Sequence, residues 1–287
     1  MEKVSVCIPA YNEEKRIRRC LESVSAQQGI EITEILVGIN SSTDRTKEFV
    51  EAHAKADPRV RVVDSPKGKP SAWNALNAAA VNDRRIFQDG DCVALPGSYA
   101  RLVQVLDGHD IVGASLQRDV RGKGLVVRIL NFPRRYTSVC RALNGNLYAM
   151  SYAKVAICLC RKFGEAIMPI DIINDDAFLG GVCDDVILAQ DIFVGIEPVD
   201  TVSEEIVRDA RMDQGDRILR QRYPELFKTS CQDKLWTGLL DIFVLFRYAT
   251  PAEKLALCFV APVKAVLYRY IHYKARQIAL KGPVKWK

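Results

Sequence analysis

Two aspartates flank a glycine directly after an apolar pair in the segment "RRIFQDGDCVALPG". Asp89 and Asp91 follow Ile86 and Phe87, and the carboxyl ends of strands are where open α/β sheets bind their ligands. Two like charges this close together repel each other. Either they coordinate a cation, or Asp89 caps a turn at Gly90. The pair alone does not decide between these interpretations.

A second acidic pair, Asp175 and Asp176, lies in "INDDAFLG". A carboxylate can act as a general base that takes a proton from an attacking hydroxyl group. A third pair, Asp184 and Asp185 in "GVCDDVILAQ", offers the same side chains. We interpret that third pair as solvated, or as the cap of a following helix.

The elements that position these residues follow from the hydrophobic pattern. Apolar runs typical of strands alternate with segments of helical spacing through the first ninety residues. The pattern predicts strands at 3–8 (ended by Pro9), 31–39, 59–65 and 84–89, helices at 12–27, 41–56 and 70–81, and further strands at 109–117 and 144–151. This alternation predicts an α/β fold with a parallel, doubly wound, Rossmann-like sheet.

The charge distribution argues against a nucleic-acid-binding protein. The net charge is +6, but the segment from Pro262 to Lys287 carries seven Lys/Arg and no Asp/Glu. The rest of the chain has 34 basic and 35 acidic residues.

The nine cysteines are scattered without a Cys-x-x-Cys pair, and the N-terminus has no signal-like apolar stretch. We therefore expect free thiols and a cytoplasmic protein.

Six segments, in this order, resemble the family 2 inverting glycosyltransferases, which have the GT-A fold. They are "VSVCIPAYNEEKRIRRCLESV", "GINSSTDRT", "KGKPSAWNALNAA", "QDGDCVALPG", "NGNLYAMS" and "INDDAFLG". The resemblance covers roughly residues 1–217. It implies a GT-A catalytic domain at 1–217, followed by a helical, amphipathic and basic region at 218–287.

The resemblance also implies roles for individual residues. Asp91 would hold Mn²⁺ or Mg²⁺, with Asp89 beside it as a second ligand or nearer the ribose or donor sugar. Asp176 would be the catalytic base, steered by Asp175. The other expected contacts to the nucleotide and its sugar are Pro9, Ala10, Tyr11, Glu13, Asn40, Lys69, Gly90, Arg208 and Arg211.

The chain departs from the family pattern at two positions. Ile39 stands where the family usually has an aspartate that reads uracil, so a UDP-linked and a GDP-linked donor both remain open. Ile218 replaces the tryptophan of a signature that Gln214 and Arg217 otherwise match, which favours transfer of a single sugar over processive synthesis. Two other functions stay open: a non-catalytic nucleotide-binding scaffold, and a nucleotidyltransferase, which the acidic "PAYNEE" disfavours.

The C-terminal region predicts an amphipathic helix. Its apolar face comprises Val263, Val266, Leu267, Tyr270 and Ile271, and its cations are Lys264, Arg269, Lys274 and Arg276. The longest charge-free apolar run has nine residues, too few for a membrane-spanning helix, which needs ~20. We expect this helix to lie on an anionic membrane surface at the cytoplasmic face, near a lipid-linked acceptor. The alternative is a helix packed on the catalytic domain.

Overall fold

The computed structural model describes residues 2–131, 135–136, 143, 145–227 and 250–280. Strands and helices alternate through the first ninety residues, as the sequence predicts. The strands are β1 (Lys3–Ala10), β2 (Glu31–Asn40), β3 (Val60–Ser65), β4 (Arg84–Gln88), β5 (Val93–Ala94), β6 (Ile111–Arg118), β7 (Arg135–Tyr136), β8 (Leu147–Ser151) and β9 (Val186–Ile196). The helices are α1 (Ile17–Ser25), α2 (Thr46–Ala54), α3 (Lys69–Ala79), α4 (Ser98–Leu106), α5 (Leu125–Leu130), α6 (Tyr152–Phe163), α7 (Asp175–Val182), α8 (Val202–Arg222) and α9 (Pro251–Leu280).

Four parallel strands form the half of the sheet that carries the site. Their order is β3-β2-β1-β4, so the chain reverses direction across the sheet between β1 and β4. Such a reversal opens a crevice at the carboxyl ends of the neighbouring strands. Asn40, Ala10 and Gln88, the last residues of β2, β1 and β4, therefore lie along one edge.

The other half of the sheet is not parallel. Strand β8 pairs antiparallel with β4, and β6, β9 and β5 follow in that order, so the predicted parallel arrangement holds only for the first ninety residues. Strand β1 also runs two residues further than predicted, through Pro9 to Ala10. Pro9 is tolerated there because β4 pairs only with Ser5 to Cys7, which leaves that side of the strand end without a ladder partner.

The chain divides into two compact units. The first comprises Met1–Ser115 and Arg141–Ile196, and the second comprises Leu116–Cys140 and Glu197–Lys287. The boundary predicted at residue 217 falls inside α8, which belongs entirely to the second unit. Part of the predicted C-terminal region, residues 228–249 and 281–287, lies outside the described residues.

Helix α9 buries a different face from the one the sequence predicts. Ile271, Ala275 and Ala279 are buried, the two alanines against Ala210 of α8, whereas Val263, Val266 and Tyr270 are exposed. The predicted apolar face is therefore divided between buried Ile271 and the exposed Val263, Val266 and Tyr270. The helix instead packs on the side of its alanines, because their small side chains allow α8 to approach closely. None of the helices in the described part of the chain is long and apolar enough to cross a membrane.

A polar turn holds the loop that follows β1. The backbone N–H of Glu13 donates to Thr46 Oγ1 at 2.8 Å, and that of Glu14 donates to Asp44 Oδ2 at 3.0 Å. Asn12, at φ +55°, accepts from the backbone N–H of Thr43 at 2.8 Å. The backbone N–H of Thr46, the first residue of α2, donates to Asp44 Oδ1 at 3.0 Å. The "SSTDRT" segment thus holds both the start of α2 and the adjacent loop, which places the Glu13 side chain at the sheet edge.

We predict that Asp44→Ala lowers the free energy of unfolding by ~1–2 kcal/mol, the usual cost of a lost capping acceptor. Hydrogen bonds hold the pKa of Asp44 below its usual value although burial alone would raise it. The difference from wild type should therefore shrink as the pH falls below about 4. Urea unfolding at several pH values measures this. Glu48→Ala, which removes an exposed acid of α2, is the control. Equal unfolding midpoints for Asp44→Ala and wild type would contradict the role of the turn.

Candidate active site

The turn after β4 packs tightly against the end of β1. The backbone N–H of Asp89 donates to the carbonyl oxygen of Asn146 at 3.0 Å, and that of Gly90 donates to the carbonyl oxygen of Pro9 at 3.3 Å. A Cβ atom on Gly90 would lie 3.3 Å from Ala10 Cβ and 3.4 Å from Glu13 Cγ. A side chain at position 90 would therefore crowd Ala10 and Glu13, and the two backbone hydrogen bonds fix Asp89 and Asp91 at the sheet edge.

Lys69 joins two of the acidic segments. Its Nζ atom lies 2.9 Å from Asp89 Oδ1 and 3.3 Å from Asp175 Oδ2. Lys69 begins α3 and its side chain is only 21% exposed, while that of Asp175 is 7% exposed. The ion pair therefore connects the end of β4 with the start of α7, which are 86 residues apart in sequence.

The site is electrostatically acid-rich. Burial raises the pKa of Asp89 to about 7, with Lys69 opposing that rise and Asp91 and Asp175 adding to it. Burial alone would lower the pKa of Lys69, but the carboxylates of Asp175 and Asp89 hold it above its usual value. Lys69 is therefore charged and the carboxylates outnumber it, so the edge attracts a further cation.

Asp91 and Glu13 extend the negative charge towards solvent. Asp91 is exposed, and its carboxylate Oδ1 lies 3.3 Å from the Cys92 thiol. Burial and the charge of Asp91 raise the pKa of Glu13 to about 7, although Arg16 opposes the shift at 3.3 Å. A divalent cation of the Mg²⁺ type typically takes one or two protein carboxylates together with substrate phosphate oxygens. These residues fit that donor set, with Asp91 presenting the accessible oxygens.

The predicted catalytic pair opens helix α7. Asp175 is buried and paired with Lys69, and burial together with the charge of Asp176 raises its pKa. Asp176 is half-buried, and its Oδ1 accepts from the backbone N–H of Ala177 at 2.8 Å. The first turn of a helix favours negative charge. Asp175 is therefore buried beside the positive charge of Lys69, whereas Asp176 is partly accessible to solvent.

Three stacked aromatic rings form the base of the crevice. Phe87 lies 5.9 Å from Trp73 and 5.3 Å from Tyr148, measured between ring centroids. Trp73 Nε1 donates to the Tyr148 hydroxyl at 3.0 Å. The crevice is lined by these rings and by Pro9, Lys69, Asp89, Gly145 and Asp175. Rigid, buried rings keep the charged groups above them in fixed positions.

The structure gives other predicted donor contacts specific surroundings. Asn40 is buried, and its Oδ1 accepts from the backbone N–H of Gly68 at 2.6 Å, so that oxygen already supports the turn before α3. The Tyr11 ring has the Lys67 ammonium 5.2 Å from its centroid. Arg208 and Arg211 belong to α8 in the second unit, where Arg208 pairs with Glu205 at 2.7 Å. Their roles towards a donor stay predictions, as does a role of Lys69 towards a diphosphate.

The third acidic pair has a structural explanation. Asp185 Oδ1 lies 2.8 Å from His109 Nδ1, and Asp184 pairs with Arg161 at 3.0 Å. The alternative prediction that this pair caps a helix is wrong, because the next element, starting at Val186, is strand β9. Asp184 is exposed and Asp185 is half-buried with its side chain 47% exposed, which agrees with the prediction of solvated acids.

Two contributors to the site were not predicted as site residues. Asn146 Nδ2 donates to Asp89 Oδ2 at 3.4 Å. A Cβ atom on Gly145 would lie 3.2 Å from Asp176 Cβ and 3.7 Å from Lys69 Nζ. The signal was present in "NGNLYAMS", where a glycine and an asparagine precede a strand, but sequence reasoning does not show that this strand lies beside β4.

A match to a known protein family adds evidence beyond the geometry of the site. The model of the family "Glycosyl transferase family 2" matches residues 5–159, more than half of the chain. The chain belongs to glycosyltransferase family 2. The matched region includes Lys69, Asp89 and Asp91, while Asp175 and Asp176 lie just beyond it.

Curated relatives agree with the family. An uncharacterized glycosyltransferase of Nostoc sp. is 31% identical over 120 residues, 41% of this chain and 37% of the relative. An undecaprenyl-phosphate 4-deoxy-4-formamido-L-arabinose transferase of Pectobacterium carotovorum is 32% identical over 120 residues, 39% of this chain and 36% of that protein. The chain therefore aligns with little more than a third of the length of these relatives.

A solved structure extends the likeness to the fold. The mannosyltransferase PcManGT from Pyrobaculum calidifontis, solved with GDP-Man and Mn²⁺, has a TM-score of 0.59 at 18% identity, covering 96% of this chain and 85% of that one. This likeness shows the GT-A fold, here a mixed parallel and antiparallel α/β sheet. The fold predicted for this family 2 glycosyltransferase is confirmed.

We predict that Lys69→Met lowers the free energy of unfolding by ~3 kcal/mol near pH 8, because it leaves buried carboxylates without their counter-charge. The pKa values of these carboxylates are raised in the folded protein. Ionising them therefore lowers the free energy of unfolding as the pH rises from about 4 through about 7. The loss should therefore be smaller near pH 5, where the carboxylates take up protons. Chemical unfolding at both pH values measures it.

The control is Lys47→Met, which breaks an exposed ion pair with Asp64 and should leave the free energy of unfolding close to that of wild type. A Lys69→Met protein as stable as this control at pH 8 would refute the buried ion pair.

Proposed function

We propose that this family 2 glycosyltransferase transfers one sugar from a nucleotide-sugar donor to an acceptor hydroxyl, with inversion and with the help of Mn²⁺ or Mg²⁺. The observation that carries the proposal is the acid-rich strand end, where Lys69 pairs with Asp89 and Asp175 while Asp91 and Asp176 remain accessible. The PcManGT complex with GDP-Man and Mn²⁺ supports a nucleotide-sugar donor and a divalent cation.

Asp176 is the proposed catalytic base. The acceptor oxygen attacks the sugar C1 from the face opposite the leaving group, its proton passes to the Asp176 carboxylate, and the C1–O bond to the diphosphate breaks. Asp175 does not suit this role because Lys69 already occupies its carboxylate and its side chain is buried. Asp175 and Lys69 instead position the first turn of α7.

The departing nucleoside diphosphate carries the electrons of the broken bond as negative charge. Asp91 would hold the cation that offsets this charge. Asp89 is oriented by Lys69 and Asn146, and the turn at Gly90 packs against Ala10 and Glu13. Tyr11 and Glu13, at the end of β1, are proposed contacts to the base and ribose.

The acceptor is proposed to be lipid-linked and reached at the cytoplasmic membrane surface. The Pectobacterium relative, by its name, acts on undecaprenyl phosphate, which supports a lipid-linked acceptor, and the attacked hydroxyl would here belong to a sugar carried by such a lipid. Whether the donor carries uridine or guanosine stays open, since Ile39 is buried at the end of β2 and offers no base-reading group.

We predict that Asp176→Asn lowers transfer at least a thousandfold and leaves donor affinity within about threefold of wild type, because it removes only the proton acceptor. Single-turnover transfer and calorimetric donor titration measure the two quantities separately. Asp184→Asn, an equally charged change at an exposed site, should keep wild-type transfer. Wild-type transfer in Asp176→Asn would exclude it as the base, and a retained anomeric configuration in the product would exclude inversion.

We further predict that Mn²⁺ affinity in the presence of a nucleoside diphosphate rises between about pH 6 and pH 8. The pKa values of Glu13 and Asp89 are about 7, so the negative charge that attracts the cation develops over this interval. Isothermal titration calorimetry at each pH measures it. Asp91→Asn should lose at least tenfold in Mn²⁺ affinity, and Glu13→Gln should flatten the pH dependence. Mn²⁺ binding that is independent of both pH and Asp91 would contradict this site.

A further inference from the structure

Helix α9 carries an unusual exposed apolar surface. Its residues are Leu255, Phe259, Val263, Val266, Tyr270 and Tyr273, here called the α9 stripe, and each is at least half exposed. Phe259 and Val266 are 73% and 72% exposed. Isolated exposed apolar residues are ordinary, but a contiguous patch of them marks an interaction surface.

The spacing makes these residues one continuous surface. At 3.6 residues per turn, steps of four, four, three, four and three residues keep the whole α9 stripe within an arc of about 80°. Ile271, Ala275 and Ala279, which pack inside the second unit, are centred about 160° away on the opposite side. One face of α9 therefore anchors the helix, and the opposite face is left to contact something else.

Cations border the α9 stripe on both sides. On the same helical projection Arg269 and Arg276 flank one edge and Lys274 flanks the other, and all three are exposed. The sequence from Pro262 to Lys287 contains no acidic residue. Two tyrosines, Tyr270 and Tyr273, belong to the stripe, and such rings favour the level of lipid headgroups.

We propose that the α9 stripe lies in the surface of an anionic lipid bilayer, with its apolar side chains at the acyl boundary and Arg269, Lys274 and Arg276 at the phosphate groups. This inference deepens the proposed function, since it rests on an acceptor that is reached at a membrane. A second copy of the chain fits the surface less well. The C-terminal half of α9 is basic, and the sequence from Pro262 onwards carries no acidic residue, which favours an anionic lipid surface over a second copy of this basic helix.

The test uses the full chain and vesicles of phosphatidylcholine, with and without phosphatidylglycerol, in the absence of donor and metal. Wild type should bind the mixed vesicles and bind phosphatidylcholine alone at least tenfold more weakly. The triple variant Phe259→Gln, Val266→Gln and Tyr270→Gln should lose at least tenfold in binding to the mixed vesicles. The triple variant Arg269→Gln, Lys274→Gln and Arg276→Gln should lose most of the preference for phosphatidylglycerol.

Matched controls separate this effect from a general loss of surface hydrophobicity. Val81→Gln and Ile157→Gln change exposed apolar residues of the first unit and should leave vesicle binding unchanged. Because every changed residue is exposed, thermal unfolding of the variants should match wild type.

Two results would overturn the proposal. One is equal vesicle binding by wild type and the Phe259, Val266 and Tyr270 variant. The other is a wild-type dimer that this variant converts to a monomer, which would make the stripe a contact between copies. Neither result depends on nucleotide binding or transfer, so failure of this inference is distinguishable from failure of the proposed enzyme.

Discussion

The ammonium group of Lys69 lies between the half-buried carboxylate of Asp89 and the buried carboxylate of Asp175, and the arrangement of the candidate site depends on this contact. It links Asp89 at the end of β4 with Asp175 at the start of α7, which brings two distant segments to one edge of the sheet. Each carboxylate alone would be costly to bury. With Lys69 between them both are tolerated, and Asp91 and Asp176 remain as the accessible acids on either side.

The incomplete charge balance is the physical basis for proposing that this edge binds a nucleoside diphosphate and a cation together. Burial, and then repulsion between neighbouring carboxylates, raises the pKa values of Glu13 and Asp89 to about 7, and a bound cation would relieve the repulsion. The proposed cation would in turn attract the diphosphate. The surrounding backbone is held by specific hydrogen bonds, from Gly90 to Pro9 and from Asp89 to Asn146, so the acids are positioned before a ligand arrives. Such positioning reduces the reorganisation that binding and transfer require.

The sequence predicts the first half of the fold well because strand and helix alternation is a local property. The bounds of β2 and β3 agree with prediction to within one residue, and Pro70 lies in the first turn of α3 as expected. The antiparallel half depends on long-range pairing, such as that of β4 with β8, which no local pattern encodes. Likewise, the resemblance supplied Asp91 and Asp176, but the position of Lys69 between two acids required three-dimensional contacts. On α9, helical spacing alone could not show which face α8 would cover. The covered face is the one that carries Ala275 and Ala279.

The central claim is that this edge binds a nucleoside diphosphate together with a divalent cation. The most direct measurement is a thermal-unfolding panel of wild type with UDP, GDP, CMP, dTDP and their common sugar conjugates, each with and without Mn²⁺. A ligand that binds only the folded protein raises the melting temperature by mass action. We expect one nucleoside diphosphate to raise the melting temperature in the presence of Mn²⁺ and to raise it much less without Mn²⁺. No Mn²⁺-dependent shift with any of these nucleotides would contradict the account and would favour a non-catalytic member of the fold.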